Sequence, residues 1–355
     1  SLSSNQAVSI PLVFTLVLLT GLSSFMYEIG WIRMLSLVLG SSTHSFEIML
    51  STFILGLAIG GFIIHRTADR FQNPLKVLGT IQLVMGLCAL LTLLLYKTQA
   101  FSGMSLYLSN IKRTEVTYLI FNLYSFLMSS MIMLPATICA GMVLPLVSHI
   151  LYQRQGEGVI GRVYAWNTLG AILGVFLAVQ WVMPLLGLKQ VIVIGATIDI
   201  FLGLFILWRW VPVQIFPLSD RITNTFLGIG AIVFFAFFYR FDSQLLASGI
   251  YRLGGVAKDL QVIFHKDGKT ASIDVLQDVS DPSYYSIKTN GKADASLYID
   301  QHRFSADEVT MVLLGALPLD WMPDAKLIAN IGFGSGLTVD TVLASEKLEH
   351  LDTIE

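Results

Sequence analysis

Long apolar runs dominate the first two thirds of the chain, and each is close to the length needed to cross a bilayer. A bilayer core about 30 Å thick is crossed by roughly 20 residues of α-helix. Eight runs approach that length, at residues 9–29, 46–64, 75–96, 118–134, 136–152, 163–185, 190–210 and 222–239. The pattern predicts a multi-pass α-helical membrane domain over residues 1–240.

The number of spans depends on one proline. Pro135 separates the runs 118–134 and 136–152, and a proline inside a helix removes a backbone hydrogen bond and bends the helix. The two runs are therefore either two short spans, giving eight, or one long kinked span, giving seven. With seven spans and a cytoplasmic N-terminus, the positive-inside rule favours an external C-terminal part. With eight spans that part is cytoplasmic, but the later loops break the rule.

Two of the runs carry glycines four residues apart. Gly56 and Gly60 lie in one run, and Gly170 and Gly174 lie in another. This spacing creates a helix face without side chains, which a neighbouring helix can approach closely. We interpret both pairs as packing faces, with a role in a substrate path as the alternative.

Charged residues also occur inside the runs or close to their ends, namely Glu28, Arg33, Glu47 and Asp199. A charge within a bilayer costs several kcal/mol unless it is paired or solvated. We interpret these residues as structural or interfacial, and the alternative is a site that handles cations or protons. Glu28 is the candidate for contact with a substrate.

A basic loop follows the second run. Its sequence "GLAIGGFIIHRTADRF" ends a glycine-rich helix on Asp69 and Arg70, with Arg66 adding charge. This loop resembles the one between the second and third helices of major facilitator superfamily transporters. The resemblance implies a transporter-like arrangement of the helical domain.

The pattern changes near residue 240 to short alternating strands separated by turns. Asp267-Gly268 and Asn290-Gly291 both stand between such strands, and the Asn-Gly pair is a strong signal for a two-residue hairpin turn. Residues 241–304 are therefore predicted to form a small β-hairpin module.

Residues 305–355 predict a helix followed by a strand, a turn, a helix and a strand. Ser305 and Glu308 have the spacing of a helix capping box. The strand before residue 332 is apolar on both faces, as a central parallel strand requires. One such unit leaves its sheet uncovered, so we expect either more strands after residue 355 or a partner at the open edge.

The glycine turn between these strands is the main candidate site. Gly332 permits a tight turn, Gly334 lets main chain approach a ligand, and Gly336 opens the helix. Glu355 ends the second strand, 23 residues after Gly332, where an acid can accept hydrogen bonds from ribose hydroxyls. The order of these elements predicts a nucleoside-type ligand, and the alternative is an ordinary glycine-rich turn.

The net charge, like the hydropathy, differs between the two parts of the chain. Residues 1–240 carry 13 Lys and Arg against 7 Asp and Glu, a net of +6, and residues 241–355 carry 9 against 17, a net of −8. The acidic part would repel nucleic acid and suits a cationic ligand such as a polyamine. The two cysteines, Cys88 and Cys139, lie in apolar runs, so we interpret them as buried hydrophobes and expect no metal site.

Taken together, these features resemble the spermidine synthase (polyamine aminopropyltransferase) family, in its bacterial membrane-bound form fused to a transporter-like domain. The segments that carry the resemblance are "YEIGWIRMLSLVLGSS" (27–42), "GRVYAWNTLGAILG" (161–174), "LASGIYRLG" (246–254), "NGKADAS" (290–296), and the glycine turn with its downstream acid. The resemblance implies a Rossmann-like methyltransferase-type fold for residues 305–355.

The same resemblance implies roles for individual residues. Gly332, Gly334, Ser335 and Gly336 would line a site for S-adenosylmethionine or its decarboxylated form, and Glu355 would hold the ribose. Asn290 and Asp294 would lie near the hairpin that covers the pocket.

The sequence departs from the family pattern in three places. Ser335 stands where soluble synthases have an acid, and Val309, Thr310 and Met311 stand where they have a Tyr-His-Glu element. The family's carboxylate base follows a later strand than those in these 355 residues. No catalytic residue is assigned for this reason.

Three functions remain open on this basis. The first is a membrane-tethered transferase with an S-adenosyl sulfonium donor and an amine-type acceptor. The second is a transporter or channel-like protein whose synthase-like domain is non-catalytic, and the third is a structural subunit of a membrane complex or homo-oligomer. The expected location is the bacterial inner membrane. We prefer the cytoplasmic side for the C-terminal domain, because adenosyl donors are made there.

Overall fold

The structure is a computed structural model that describes residues 9–110, 114–256, 259–300 and 302–354. About 70% of the chain is helical, and a small sheet lies towards the C-terminus. The chain divides into two compact units. The first contains residues 1–242 and 267–270, and the second contains residues 243–266 and 271–355.

The first unit is built from nine helices within its described residues. They are α1 Ile10–Leu39, α2 Thr43–Thr67, α3 Pro74–Leu95, α4 Ser102–Asn110, α5 Glu115–Gln155, α6 Gly158–Leu177, α7 Met183–Leu186, α8 Leu188–Arg209 and α9 Leu218–Val233. Segments of π-helix continue α3, α6 and α9 without a break. Local chemistry sets some of the helix starts: before α3, the side chain of Asn73 accepts the Lys76 N–H at 2.9 Å, and Pro74 occupies the first turn.

Seven helical stretches of the described residues are long and apolar enough to cross a membrane, judged by length and composition. The two runs flanking Pro135 belong to one of them, because α5 is a single helix of 41 residues that contains both Pro135 and Pro145. This count of candidate helices agrees with the seven-span alternative. A proline lacks the N–H that would close one helical hydrogen bond, and a long helix surrounded by neighbours tolerates that loss.

The glycine pairs are confirmed as packing faces. A Cβ atom on Gly56 or Gly60 of α2 would lie 1.9 Å from Thr137 Oγ1 or 2.1 Å from the Ile138 carbonyl oxygen of α5. The same holds between α6 and α1, where Cβ atoms on Gly170 and Gly174 would lie 1.9 and 2.3 Å from main-chain carbonyl oxygens of α1. Real Cβ atoms do not approach other atoms so closely, so these helices meet through their backbones.

The second unit opens with two short helices, α10 Ser243–Leu246 and α11 Ile250–Leu253. Four strands follow and pair in sequence order: β1 Leu260–Asp267, β2 Ser272–Asp278, β3 Tyr284–Thr289 and β4 Lys292–Tyr298. The turn between β3 and β4 is Asn290-Gly291, with positive φ at both residues, which is the two-residue hairpin turn that the sequence predicts.

The chain then forms α12 Ala306–Trp321, β5 Leu327–Ile331, α13 Leu337–Leu343 and β6 His350–Ile354. The capping box at the start of α12 is confirmed, since Ser305 Oγ accepts the Glu308 N–H at 3.1 Å and Glu308 Oε2 accepts the Ser305 N–H at 2.6 Å. Strands β5 and β6 pair in parallel. Ile331 is 86% exposed, so one face of this two-stranded sheet is open.

Candidate functional site

The candidate site is the loop that joins β5 to α13. Gly332, Gly334 and Gly336 have φ angles of 88°, 55° and 82°. Glycine adopts positive φ without steric cost, whereas other residues do so rarely. Three such angles within five residues hold the main chain in a tight turn at the carboxyl end of β5.

Space is open above two of these glycines. A Cβ atom on Gly332 or Gly334 would meet no described atom within 4 Å, whereas a Cβ atom on Gly336 would lie 3.0 Å from the Phe333 ring. Gly336 is therefore required by local packing as well as by its φ angle. Gly332 and Gly334 instead present bare main chain to which a ligand could come close.

The loop offers unused hydrogen-bond donors. The Gly332 N–H donates to the Ile354 carbonyl oxygen at 2.8 Å, and the Gly336 N–H donates to the Phe333 carbonyl oxygen at 2.9 Å. Between described residues, no hydrogen bond uses the N–H of Gly334 or of Ser335. Neighbouring free N–H groups in a turn form a concave donor site that suits an anionic or hydroxyl-bearing group.

Helix α12 supports the loop from one side. Ser335 Oγ lies 3.0 Å from Met311 Sδ, and Thr338 Oγ1 donates to the Met311 carbonyl oxygen at 2.9 Å. Helices α12 and α13 approach closely at Gly315, where a Cβ atom would lie 2.9 Å from Thr341 Cβ. Met311 thus holds the loop through its main chain and its sulfur.

The predicted ribose-binding acid, Glu355, lies outside the described residues. Its predecessor Ile354 ends β6 and accepts the Gly332 N–H, so the described part of β6 ends beside the first glycine of the turn. The structure thus brings the carboxyl ends of both parallel strands to the same loop, where open α/β sheets bind their ligands.

The hairpin candidates occupy different surroundings. Asn290 Oδ1 accepts the Ser272 N–H at 2.9 Å, and the Asn290 N–H donates to the Ser272 carbonyl oxygen at 2.8 Å. The side-chain oxygen and the main-chain N–H of Asn290 are thus both used within the sheet. Asp294 is exposed and lies 3.4 Å from the Lys292 ammonium. Substrate contact by either residue stays a prediction.

A polar cluster that sequence reasoning missed lies inside the sheet. His265 Nδ1 is 2.6 Å from Asp274 Oδ1, and Asp274 is paired across the ladder with Lys288. Lys288 is buried and its Nζ donates to the Ala247 carbonyl oxygen at 3.2 Å. Burial lowers the pKa of this ammonium, and the charge of Asp274 opposes that shift. The cluster links residues 243–254 to the sheet. Polar residues at alternate strand positions are the sequence signal that could have revealed it.

Two curated proteins are similar to the chain. It is 22% identical over 337 residues to Polyamine aminopropyltransferase 2 of Ralstonia nicotianae, an alignment that covers 93% of this chain and 58% of that protein. Polyamine aminopropyltransferase 1 of the same organism gives the same identity and coverage of this chain, with 57% of its own length. No family model matches the chain. A search of solved structures also finds no match.

The similarity extends through both units rather than stopping at one of them. An alignment over 93% of the chain must include most of the apolar helices and most of the second unit. The chain spans less than two thirds of the length of either relative. The resemblance seen in the sequence is thus supported as a distant similarity to polyamine aminopropyltransferases.

Glu28, the remaining candidate, lies on α1 in the first unit. Its side chain is half-buried, and it makes no ion pair with a described residue. In neither unit do the described residues contain a group of three or more His, Cys, Asp and Glu side chains arranged to hold a metal ion. The glycine loop is therefore the best-formed candidate for a small-molecule site in the second unit.

Proposed function

We propose that the protein is a membrane-tethered spermidine synthase-like transferase, which moves a group from an S-adenosyl sulfonium donor to an amine-type acceptor. The observation that carries this proposal is the alignment of 93% of the chain with two polyamine aminopropyltransferases. Seven apolar helices, compatible with a multi-pass membrane protein, supply the tether. We place the protein in the inner membrane of a bacterium.

The donor site of this proposal is the glycine loop, and the βαβ unit around it is of the Rossmann-like type. The main chain at Gly332 and Gly334 is open to close approach, and the N–H groups of Gly334 and Ser335 are available to a ligand oxygen. Glu355 follows β6 directly and would accept hydrogen bonds from the ribose hydroxyls. S-adenosylmethionine and decarboxylated S-adenosylmethionine both present these groups.

The chemistry is a nucleophilic substitution at carbon. An amine nitrogen of the acceptor attacks the carbon next to the sulfonium, the C–N bond forms, and the C–S bond breaks. The electron pair of that bond stays on sulfur, which leaves as a neutral thioether. The attacking amine must lose one proton, so a base or water must receive it. We assign no described residue to that role.

Charge supports an acceptor of the polyamine class. Residues 241–355 carry a net charge of −8, which attracts a polycation and raises its local concentration. The positively charged sulfonium donor is favoured by the same field. A neutral or acidic acceptor would gain nothing from it.

Calorimetry on the full chain in lipid nanodiscs tests the proposal. Decarboxylated S-adenosylmethionine or S-adenosylmethionine should bind, and Gly334→Asn should abolish binding because a side chain would fill the space above the loop. Asparagine tolerates positive φ better than most residues, so this variant keeps the turn. A Gly230→Ala variant is the control, because the added Cβ meets open space in the first unit. Failure of both adenosyl compounds to bind the unmodified chain would overturn the proposal.

One observation favours a second function, a transporter with a non-catalytic synthase-like domain. An odd number of spans places the two ends of the helical domain on opposite sides of the membrane, and the basic loops then favour an external second unit. Adenosyl donors are made in the cytoplasm. A protease-accessible tag in the hairpin at Asn290 distinguishes the two: cleavage from outside intact cells would favour the transporter, and protection would favour the transferase.

A further inference from the structure

A column of buried polar side chains lies inside the helical unit. Thr20, Ser23 and Tyr27 occur at intervals of three and four residues on α1, so they share one face of that helix. They meet Gln82 of α3 and Asp199 of α8. All five residues are at most 2% exposed, and all lie within candidate membrane spans.

Asp199 is the only acid in this column. Its Oδ1 accepts the Ser23 hydroxyl at 2.7 Å, and its Oδ2 accepts the Tyr27 hydroxyl at 2.6 Å. It forms no ion pair with a described lysine, arginine or histidine. A carboxylate in this position would be a buried charge without a counter-ion, which is costly in a bilayer. A protonated carboxyl group carries no such cost.

The hydrogen bonds accommodate either protonation state. Ser23 Oγ lies 2.7 Å from Asp199 Oδ1 and also 3.0 Å from the Thr20 carbonyl oxygen. A hydroxyl group has one proton to donate. When Asp199 is ionised, Ser23 donates to it. When Asp199 is protonated, the acid donates to Ser23 Oγ and Ser23 donates to Thr20, with no heavy atom moved.

An unused acceptor lies at the next level of the column. Gln82 donates through Nε2 to Thr20 Oγ1, but its Oε1 is buried and finds no donor among the described residues. A buried amide oxygen without a donor is costly. Gln82 is thus a second buried polar group of the column whose hydrogen-bonding capacity is not fully used.

The titratable groups around Asp199 are few. Tyr27 and Glu28 belong to α1, Cys88 to α3 and Cys139 to α5, while the charged residues of α9 are confined to its first turn. The cations on α3 and α8 lie at the helix ends, at Lys76, Lys189 and Arg209. Helix α1 carries one cation, Arg33, six residues beyond Tyr27, and none of these cations forms an ion pair with Asp199.

We propose that Asp199 is an intramembrane proton-binding site that takes up and releases a proton, with Ser23 and Tyr27 as its hydrogen-bond partners in both states. This inference does not depend on the transferase activity. It gives the helical unit a separate function, the reversible binding of a proton within the membrane. The carboxyl oxygen gains or loses one proton, and no other bond changes.

Infrared difference spectroscopy on the full chain in lipid nanodiscs tests this site. A protonated carboxylic acid gives a C=O stretching band that a carboxylate lacks. The other carboxyl groups of the chain also give such bands at low pH, so the band of Asp199 is the pH-dependent component that Asp199→Asn should remove. The matched control is Glu28→Gln, which deletes a neighbouring carboxyl group of the same helical unit and should leave the band in place.

Two further variants keep the test valid if Asp199→Asn does not fold. Tyr27→Phe and Ser23→Ala retain the acid but remove one hydrogen-bond partner each, so each should move the band to a different frequency. If the role of Asp199 were purely structural, Asp199→Asn would lower thermal stability without removing a pH-dependent band. A band that is constant at every pH, or one that persists unshifted in all three variants, would overturn the proposal.

Discussion

The β3–β4 turn provides a quantitative test of what Asn290 does. Its side chain accepts the N–H of Ser272, a residue that is 1% exposed. Asn290→Ala removes this hydrogen bond to a buried donor, a loss of about 1–3 kcal/mol. Alanine at a φ of 49° adds roughly 1–2 kcal/mol, because its Cβ disfavours the left-handed region. A total near 3 kcal/mol is expected for the local opening free energy.

Hydrogen exchange followed by mass spectrometry measures this change. Since 1.4 kcal/mol corresponds to a factor of ten, the amide of Ser272 should exchange roughly 100-fold faster in Asn290→Ala. Asn290→Gly removes the hydrogen-bond acceptor but still permits the positive φ angle. Its effect on exchange should therefore be smaller than that of Asn290→Ala. Asn290→Asp keeps both the acceptor and the tolerance of positive φ, and should stay within about 0.5 kcal/mol of the unmodified chain.

The opposite pattern would refute the structural reading of Asn290. Unchanged exchange at Ser272, together with weaker binding of an adenosyl compound or a polyamine, would show that Asn290 serves a ligand rather than the turn. Equal effects of the Ala, Gly and Asp variants would show that neither the hydrogen bond nor the φ angle matters.

Three further predictions concern packing, capping and pH. Gly170→Leu should force α6 away from α1 and lower thermal stability in detergent by about 3 kcal/mol or more, whereas Gly230→Ala, which meets open space, should not. Ser305→Ala should cost about 1 kcal/mol and speed exchange in the first turn of α12, because the capping box is lost. Hydrogen bonds from Arg303 lower the pKa of Asp281 to about 2. The ionised Asp281 therefore stabilises the fold fully above about pH 4, and this stabilisation is lost as the pH falls towards 2. Arg303→Gln lacks the interaction, so its acid unfolding curve should not show that loss.

Features set by neighbouring residues could be predicted from the sequence. The Asn290-Gly291 turn needs only two residues that accept positive φ, and the capping box needs only Ser305 and Glu308 three positions apart. The glycine faces of α2 and α6 were also predictable, because the i, i+4 spacing places them on one side of a helix. In each case the cause lies within one turn of the chain.

Features set by distant contacts could not be predicted in this way. Asp199 was recognised as a charged residue in an apolar run, but its partners Ser23 and Tyr27 lie more than 170 positions away. Pro135 left two span counts open, because whether a helix continues through a proline depends on what packs around it. The support of Ser335 by Met311 likewise depends on how α12 and α13 pack.

The glycine contacts also determine which parts of the helical unit can move. Helices that touch through their backbones have no layer of side chains to slide or repack, so α1 with α6, and α2 with α5, behave as rigid pairs. Helices α3 and α8 also touch through their backbones, because a Cβ atom on Gly203 would lie 2.6 Å from the Leu83 nitrogen. We therefore expect a change of shape to be less costly between pairs than within them. Asp199 belongs to one pair and its two hydroxyl donors to another, so separating those pairs would break both hydrogen bonds at once.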